Sequence, residues 1–409
     1  MNRTTTTMYR HGVRAGRMGA MAVLVWLLVA GSCMAGDIEF HPPARATDPS
    51  TVEVMRDLAV RVVPVYQDND ARRFLANVAA LQMAARNYTA ATVNRRLLEE
   101  RRSKSGDRRS PDDVILDVYA KARAMEAERG VDFPKALAQA YHEIVGKLGD
   151  HEAYAVASAL MASPSPYADE LDAAFDRQRS RDTIGIDAAV NLIWKYLAFD
   201  ARRSISPYVA VLDAQDEANR YVVDNGVQLT GVDRSEIRIV VVRPRAASGK
   251  LASLLEFNID PGRNSARECA AHGFAGVVAT VERVAHGRSA PAPFERDAAQ
   301  VTRVLDWIAR QPWSDGRVGM YGDRYSGFAA WAGARHPSRA LRAIATSATT
   351  APGIDAPMAG SIFQNSAYRW SLYVTNTDPA AVQNFYDDGI WRELDRAWYR
   401  SGRRYRDPG

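Results

Sequence analysis

The feature that most constrains this chain is a change of period near residue 220. Between about residues 51 and 220 apolar side chains recur every three or four positions. Beyond about 225 they come in short β-branched runs. The segments "TVEVMRDLAVRVVPVY", "DARRFLANVAALQMAARN" and "DAAVNLIWKYLAFDARR" each carry an apolar stripe at helical spacing, with Asp70 placed to cap the second. "SPDDVILDVYAKARAMEAERG" opens with Ser110 as N-cap, Pro111 at the first helical position and acids in the first turn, and Gly130 ends it. Amphipathic helices joined by short loops predict an all-α domain over 36–220, either a bundle or a helical-repeat array, and no strict repeat period is present. Residues 37–50 are polar and contain proline, which predicts a linker.

The second half alternates. "VQLTGVDRSEIRIVVVRPR" reads as two strands and a turn, "KLASLLEFNID" and "FAGVVATV" as buried strands, and "FERDAAQVTRVLDWIARQPW" as an amphipathic helix stopped at Pro312. Strands without polar alternation, separated by helices, imply a mostly parallel sheet covered on both faces over 221–350. From 351 to 409 the chain is aromatic and irregular, with helical pattern again near 379–400.

Inside that core, "DGRVGMYGDRYSGFAAW" (315–331) reads as a strand, a tight glycine turn and a helix. Three chemistries use such a turn. A phosphate loop needs Lys and Ser/Thr after its second glycine, and Phe328 and Ala329 follow Gly327 here. The dinucleotide fingerprint is absent. A nucleophile elbow remains: small residues flank its apex, and the helix N-terminus behind it helps to hold an oxyanion. Gly322 before the apex and Gly327 after it suit that geometry.

The segment "VLDWIARQPWSDGRVGMYGDRYSGFAAWAGARHPSRALRAI" resembles the Xaa-Pro dipeptidyl-peptidase-like hydrolases, the group that includes cocaine-esterase-type acyl hydrolases. The resemblance covers about residues 225–405 and leaves the helical part before 220 outside. It implies a serine hydrolase with an α/β-hydrolase core, a helical cap that starts within 351–409, a C-terminal jelly roll, and acyl ester, amide or peptide substrates. It also locates departures. The nucleophilic serine of the family falls at Arg324, whose guanidinium is always charged and cannot attack a carbonyl. The backbone N–H that would serve the oxyanion falls at Tyr325. The family's oxyanion tyrosine falls at Asp260, where a carboxylate would repel a developing negative charge. Ser326 is a substitute nucleophile only if it escapes the far side of the first helical turn; the alternative is a backbone-bonded serine.

The rest of a triad is not legible. His336 is the sole histidine after Arg324 and falls in the helix behind the elbow. His286 in "VAHGRS" precedes the elbow, whereas this fold supplies acid and histidine after the nucleophile. Asp387 and Asp388 fall in the cap-like segment. The expectation is therefore an incomplete α/β core that hydrolyses negligibly, with an unpaired sheet edge and poor solubility. Two alternatives accompany it: an exported pseudo-hydrolase whose helical domain binds a protein partner, or a truncated gene product.

With 409 residues and 47% apolar content the chain has enough material for two ordinary domains. Arg3, Arg10, Arg14 and Arg17 precede the apolar run "MAVLVWLLVAG" and the small-residue exit "SCMAG", which predicts a signal peptide over 1–35 and export to the periplasm or beyond. Membrane attachment would require lipidation at Cys33. After cleavage Cys269 stands alone, and its helical setting reads as a buried small hydrophobe. The basic run "NRRLLEERRSKSGDRRS" (94–110) is interleaved with Glu and reads as a solvated helix face, not a nucleic-acid patch. "HEIVG" (142–146) lacks the second histidine of a zinc-protease helix, and no metal site or cofactor motif is found.

Overall fold

A computed structural model describes residues 37–402, apart from 233–234, 260–261, 282–292, 337, 357, 360–361, 365–366, 368, 371–373 and 375–387. The leader with Cys33, Asp260, His286 and Asp387 lie outside the described residues.

Nine α-helices occupy Thr51–Arg220: α1 (Thr51–Val62), α2 (Ala71–Ala84), α3 (Tyr88–Ser105), α4 (Pro111–Arg129), α5 (Phe133–Ile144), α6 (Asp150–Met161), α7 (Ser165–Gln178), α8 (Ile186–Ile205) and α9 (Val209–Arg220). Local chemistry sets their ends. Asp70 accepts from the N–H groups of Arg72 and Arg73, Asn87 from that of Ala90, and Ser110 from that of Asp113. Gly106 and Gly130 close α3 and α4 in the left-handed region. Eleven of the twenty residues of α8 are buried, too many for one face, so α8 is a central helix. It packs against α1, α2, α4 and α7. A solenoid would restrict each helix to sequential neighbours, so this is a bundle.

Residues 37–50 are not a linker. β1 (Ile38–Glu39) pairs antiparallel with β2 (Thr183–Ile184), Phe40 is 1% exposed, and the Ala46 N–H donates to Asp172. The buried Phe40 ring is what ties this polar segment to the bundle.

The basic run is exposed along most of its length, as read, and departs from that reading at Arg95. Arg95 is 4% exposed, with its Nε on Asp117 and its Nη2 donating to the Asp113 carbonyl. Arg109 pairs with Asp117 and Glu99, and Arg102 with Asp113. Arg95 and Arg102 thus meet Asp113 in the first turn of α4, and Arg95 and Arg109 meet Asp117 one turn on.

α9 runs straight into the sheet. Arg220 bonds Asp150 and Asp216, and also the carbonyls of Leu148 and Val145. Tyr221 then opens β3 (Tyr221–Thr230). β4 (Glu236–Pro244), β5 (Leu251–Phe257), α10 (Arg263–Ala271), β6 (Ala275–Val281), α11 (Asp297–Ala309), β7 (Ser314–Asp323), α12 (Arg324–Arg335) and β8 (Leu341–Ser347) follow. The six strands lie in the order β3-β4-β6-β5-β7-β8. β4 is antiparallel to both neighbours, while β5, β6, β7 and β8 run parallel. Counted from the first strand of this sheet the order is 1-2-4-3-5-6 with an antiparallel second strand, the α/β-hydrolase arrangement.

Strand alternation sorts the two faces. Ile237, Ile239, Val241, Val277 and Ala279 meet α11 and α12 on one side. Val242 and Val278 meet Ala266 and Ala270 of α10 on the other. β8 differs: among the described residues it pairs with β7 alone, and Arg342, Ala343, Ala345 and Ser347 are exposed. Two-residue strands β9 (Met358–Ala359) and β10 (Ile362–Phe363) and a helix at Asp388–Ser401 follow. No helix among the described residues is long and apolar enough to cross a membrane.

Candidate active site at the β7–α12 turn

The chain climbs β7 in extended conformation as far as Asp323 (φ −121°, ψ 164°) and reverses at Arg324, where φ is +46°. A left-handed backbone at a long side chain costs roughly 1–2 kcal/mol. It is held because the turn leaves no alternative. A Cβ on Gly322 would lie 2.4 Å from the Ser326 Oγ and 2.6 Å from its carbonyl carbon, and one on Gly327 would lie 2.6 Å from the Thr349 Oγ1. Both glycines are therefore demanded by close approach across the bend. The Thr350 N–H donates to the Arg324 carbonyl at 3.1 Å and fastens the turn to the segment after β8.

The Arg324 side chain is 82% exposed, at the carboxyl-end crest of the sheet beside the point where the chain crosses from β6 to β7. Its nearest carboxylate, Asp323 at 3.6 Å, is itself half exposed, so that pair contributes little. Ser326 is 1% exposed. Its Oγ accepts from the Asp323 N–H at 3.0 Å and donates to the Asp323 carbonyl at 2.9 Å, so the hydroxyl is engaged twice with backbone. Tyr325 is 8% exposed, and its ring packs against Phe294, Phe328 and Trp370 with centroids 5.3–6.3 Å away. Ile259, the residue before Asp260, and Val374 complete this apolar cluster. His336 caps the far end of α12, about 18 Å of helix from Arg324 at 1.5 Å per residue.

One partner carried no sequence signal. The Tyr325 hydroxyl donates to Asp297, the first residue of α11, which is 5% exposed. The other carboxylate oxygen of Asp297 is buried without a hydrogen-bond partner. Burial pushes the Asp297 carboxyl above its usual range, against the opposing effect of the Tyr325 hydroxyl and nearby backbone N–H groups. Burial raises the Tyr325 phenol as well, reinforced by the Asp297 charge. Nothing in "FERDAAQ" distinguishes this aspartate from an ordinary first-turn acid.

The remaining candidates are structural. The Cys269 thiol lies 3.4 Å from the Tyr321 hydroxyl, and burial pushes it up to about 11, which leaves it unreactive near neutrality. Glu143 of "HEIVG" pairs with Lys121 and accepts from Gln139. Among the described residues no three His, Cys, Asp or Glu side chains are grouped to hold a metal.

Known proteins align with this picture. The family model described as X-Pro dipeptidyl-peptidase (S15 family) matches residues 156–401, so the match begins inside α6 and takes in helices that the sequence resemblance left outside. Cocaine esterase of Rhodococcus sp. (strain MB1 Bresler) is 34% identical over 85 residues, which is 20% of this chain and 15% of that protein. Among solved structures, a CocE/NonD family hydrolase from Staphylococcus aureus is 17% identical over 30% of this chain and 27% of its own, with a TM-score of 0.27. An α-amino acid ester hydrolase is 17% identical over 34% and 27%, with a TM-score of 0.29. Structural overlaps of that size add nothing to the strand order given above. The family model spans more than half of the chain, with the β7–α12 turn inside it: the protein belongs to the X-Pro dipeptidyl-peptidase (S15) family of hydrolases.

Proposed function

We propose that this chain is a hydrolytically silent member of its family, with esters, amides or peptides as the substrate class its relatives' chemistry addresses. The observation that carries the reading is Arg324 at the apex. The family mechanism requires a side chain there that loses a proton and attacks a carbonyl carbon, forming an acyl-enzyme. A guanidinium keeps its protons and has no free lone pair for the carbonyl carbon. The geometry around the apex supports the assignment: left-handed backbone, flanking glycines, and the Tyr325 N–H at the start of α12. Ser326 does not replace the nucleophile in this reading, because freeing its hydroxyl would break two backbone hydrogen bonds at about 1 kcal/mol each.

The test is turnover of p-nitrophenyl esters and Xaa-Pro anilides by the full chain. The expected rate is that of buffer. Turnover that survives Arg324→Ala and disappears in Ser326→Ala would assign the chemistry to Ser326 and overturn the reading.

A further inference from the structure

We propose that a groove over α4, between α3 and the end of α5, binds an acidic amphipathic helix of another polypeptide. The groove has a volume of about 590 Å³. Its floor follows one side of α4 through Asp117, Ala120, Lys121, Ala124, Met125 and Glu128. That is helical i, i+3, i+4 spacing over about 16 Å, or three turns. Small residues at 120 and 124 let another backbone come close. Val93, 44% exposed, lines the groove together with the half-buried Ile144 and Leu148, giving apolar side chains something to grip.

Charge selects the occupant. Six basic and four acidic side chains line the groove. All four acids are already engaged: Asp117 by Arg95 and Arg109, Glu99 by Arg109, Glu143 by Lys121, and Glu128 by the Thr89 hydroxyl. The other three cations are not. Arg96 has only a 3.9 Å approach to Glu100, Lys147 acts on Glu143 only through its field and forms no close pair, and Arg129 has no ion-pair partner among the described residues. Arg95 on the groove wall is 4% exposed and its Nη1 has no hydrogen-bond partner. The surplus is positive, and an acidic helix supplies the missing carboxylates while covering the exposed Val93. A basic helix would meet Arg96, Arg129 and Lys147 unscreened. This role belongs to the bundle and is separate from the elbow, so peptide titration and hydrolysis assays fail independently.

The experiment is fluorescence anisotropy on the full chain. The probe is a labelled helical peptide of about 12 residues, matching three turns, with Leu at i, i+3, i+4 and i+7 and Glu elsewhere; its Lys-for-Glu counterpart is the control. The acidic probe is expected to bind, to weaken with added salt, and to lose at least about tenfold in affinity against Arg129→Glu/Lys147→Glu. Both side chains are exposed, but Arg129 sits in the last turn of α4 and Lys147 in the field of Glu143, so the variant should fold with a slightly lowered melting temperature. Val93→Glu, a second exposed change, should weaken binding through the apolar wall. No binding, equal binding of the Lys peptide, or affinity unchanged in both variants would overturn the proposal. So would concentration-dependent self-association abolished by Val93→Glu, which would give the groove to a second copy. Vesicles of phosphatidylserine and phosphatidylcholine that bind the parent but not the charge-reversed variant would give it to a lipid surface.

Discussion

The helical bundle and the sheet obey local backbone rules to different degrees. In the bundle the helix ends described above carry side-chain caps or left-handed glycines, and its single left-handed non-glycine residue is Arg86. The other three such residues in the described chain are Phe294, Arg324 and Ala348. All three surround one turn: Phe294 packs on Tyr325, Arg324 is the apex, and Ala348 follows β8 two residues before Thr350 bonds the apex carbonyl. Each such conformation costs on the order of 1–3 kcal/mol and persists only where its surroundings leave no choice. The bundle is built for burial. The crest of the sheet instead gathers its left-handed backbone around one tight turn, with Arg324 at the apex.

The sharpest way to break this comparison is to truncate one large apolar side chain in each region. Phe175 of α7 is fully buried in the bundle core. Phe175→Ala should cost about 3–5 kcal/mol, because the cavity cannot collapse in a close-packed bundle. Ile344 of β8 is only partly buried at the edge of the sheet, and Ile344→Ala should cost about 1 kcal/mol. Urea midpoints of the two variants at constant slope give the difference. Equal losses would mean that the β8 edge is covered as thoroughly as the bundle core.

A smaller effect tests the support beneath the elbow. The Asp297 carboxyl is raised by burial, so the folded state holds its proton to higher pH than the unfolded chain does. Its contribution is fully present below the ordinary carboxylate value near 4, and is lost as pH rises through the folded value. Asp297→Asn can still accept from Tyr325 but does not ionise. Melting temperatures of parent and variant from pH 3.5 to 7 should therefore diverge, with the variant gaining on the parent as pH rises. Parallel curves would mean that Asp297 is not desolvated under Tyr325.

How much of this was legible beforehand follows the range of the forces involved. The helix-to-sheet change near 220, the caps at Asp70 and Ser110 and the elbow itself rest on neighbours a few residues apart, and short segments carry that information. The Asp297–Tyr325 bond spans 28 residues, and the aromatic cluster gathers Phe294, Tyr325 and Trp370 from separate elements. No local pattern encodes either. The basic run at 94–110 is exposed along most of its length, as its interleaved Glu suggests; the burial of Arg95 within it is decided by Asp113 and Asp117 on the next helix. Residues 37–50 read as a linker because one buried ring, Phe40, is invisible in a polar average.

The smallest predicted effect bears most directly on the elbow. Arg324 combines two unfavourable features: φ of +46° in a residue with a Cβ, and a cation at the positive end of a twelve-residue helix. The first costs about 1–2 kcal/mol and the second about 0.3–1 kcal/mol when exposed. The side chain gains little in return, being 82% exposed with one weak pair. Glycine removes both costs but adds backbone entropy to the unfolded chain, offsetting about 0.5–1 kcal/mol. Arg324→Gly should therefore be net stabilising by about 1 kcal/mol, the reverse of most glycine substitutions. Arg335→Gly, in the right-handed last turn of the same helix, should destabilise by about the same amount. If both substitutions destabilise alike, the apex is not strained, and Arg324 does not occupy the bend on which the elbow reading depends.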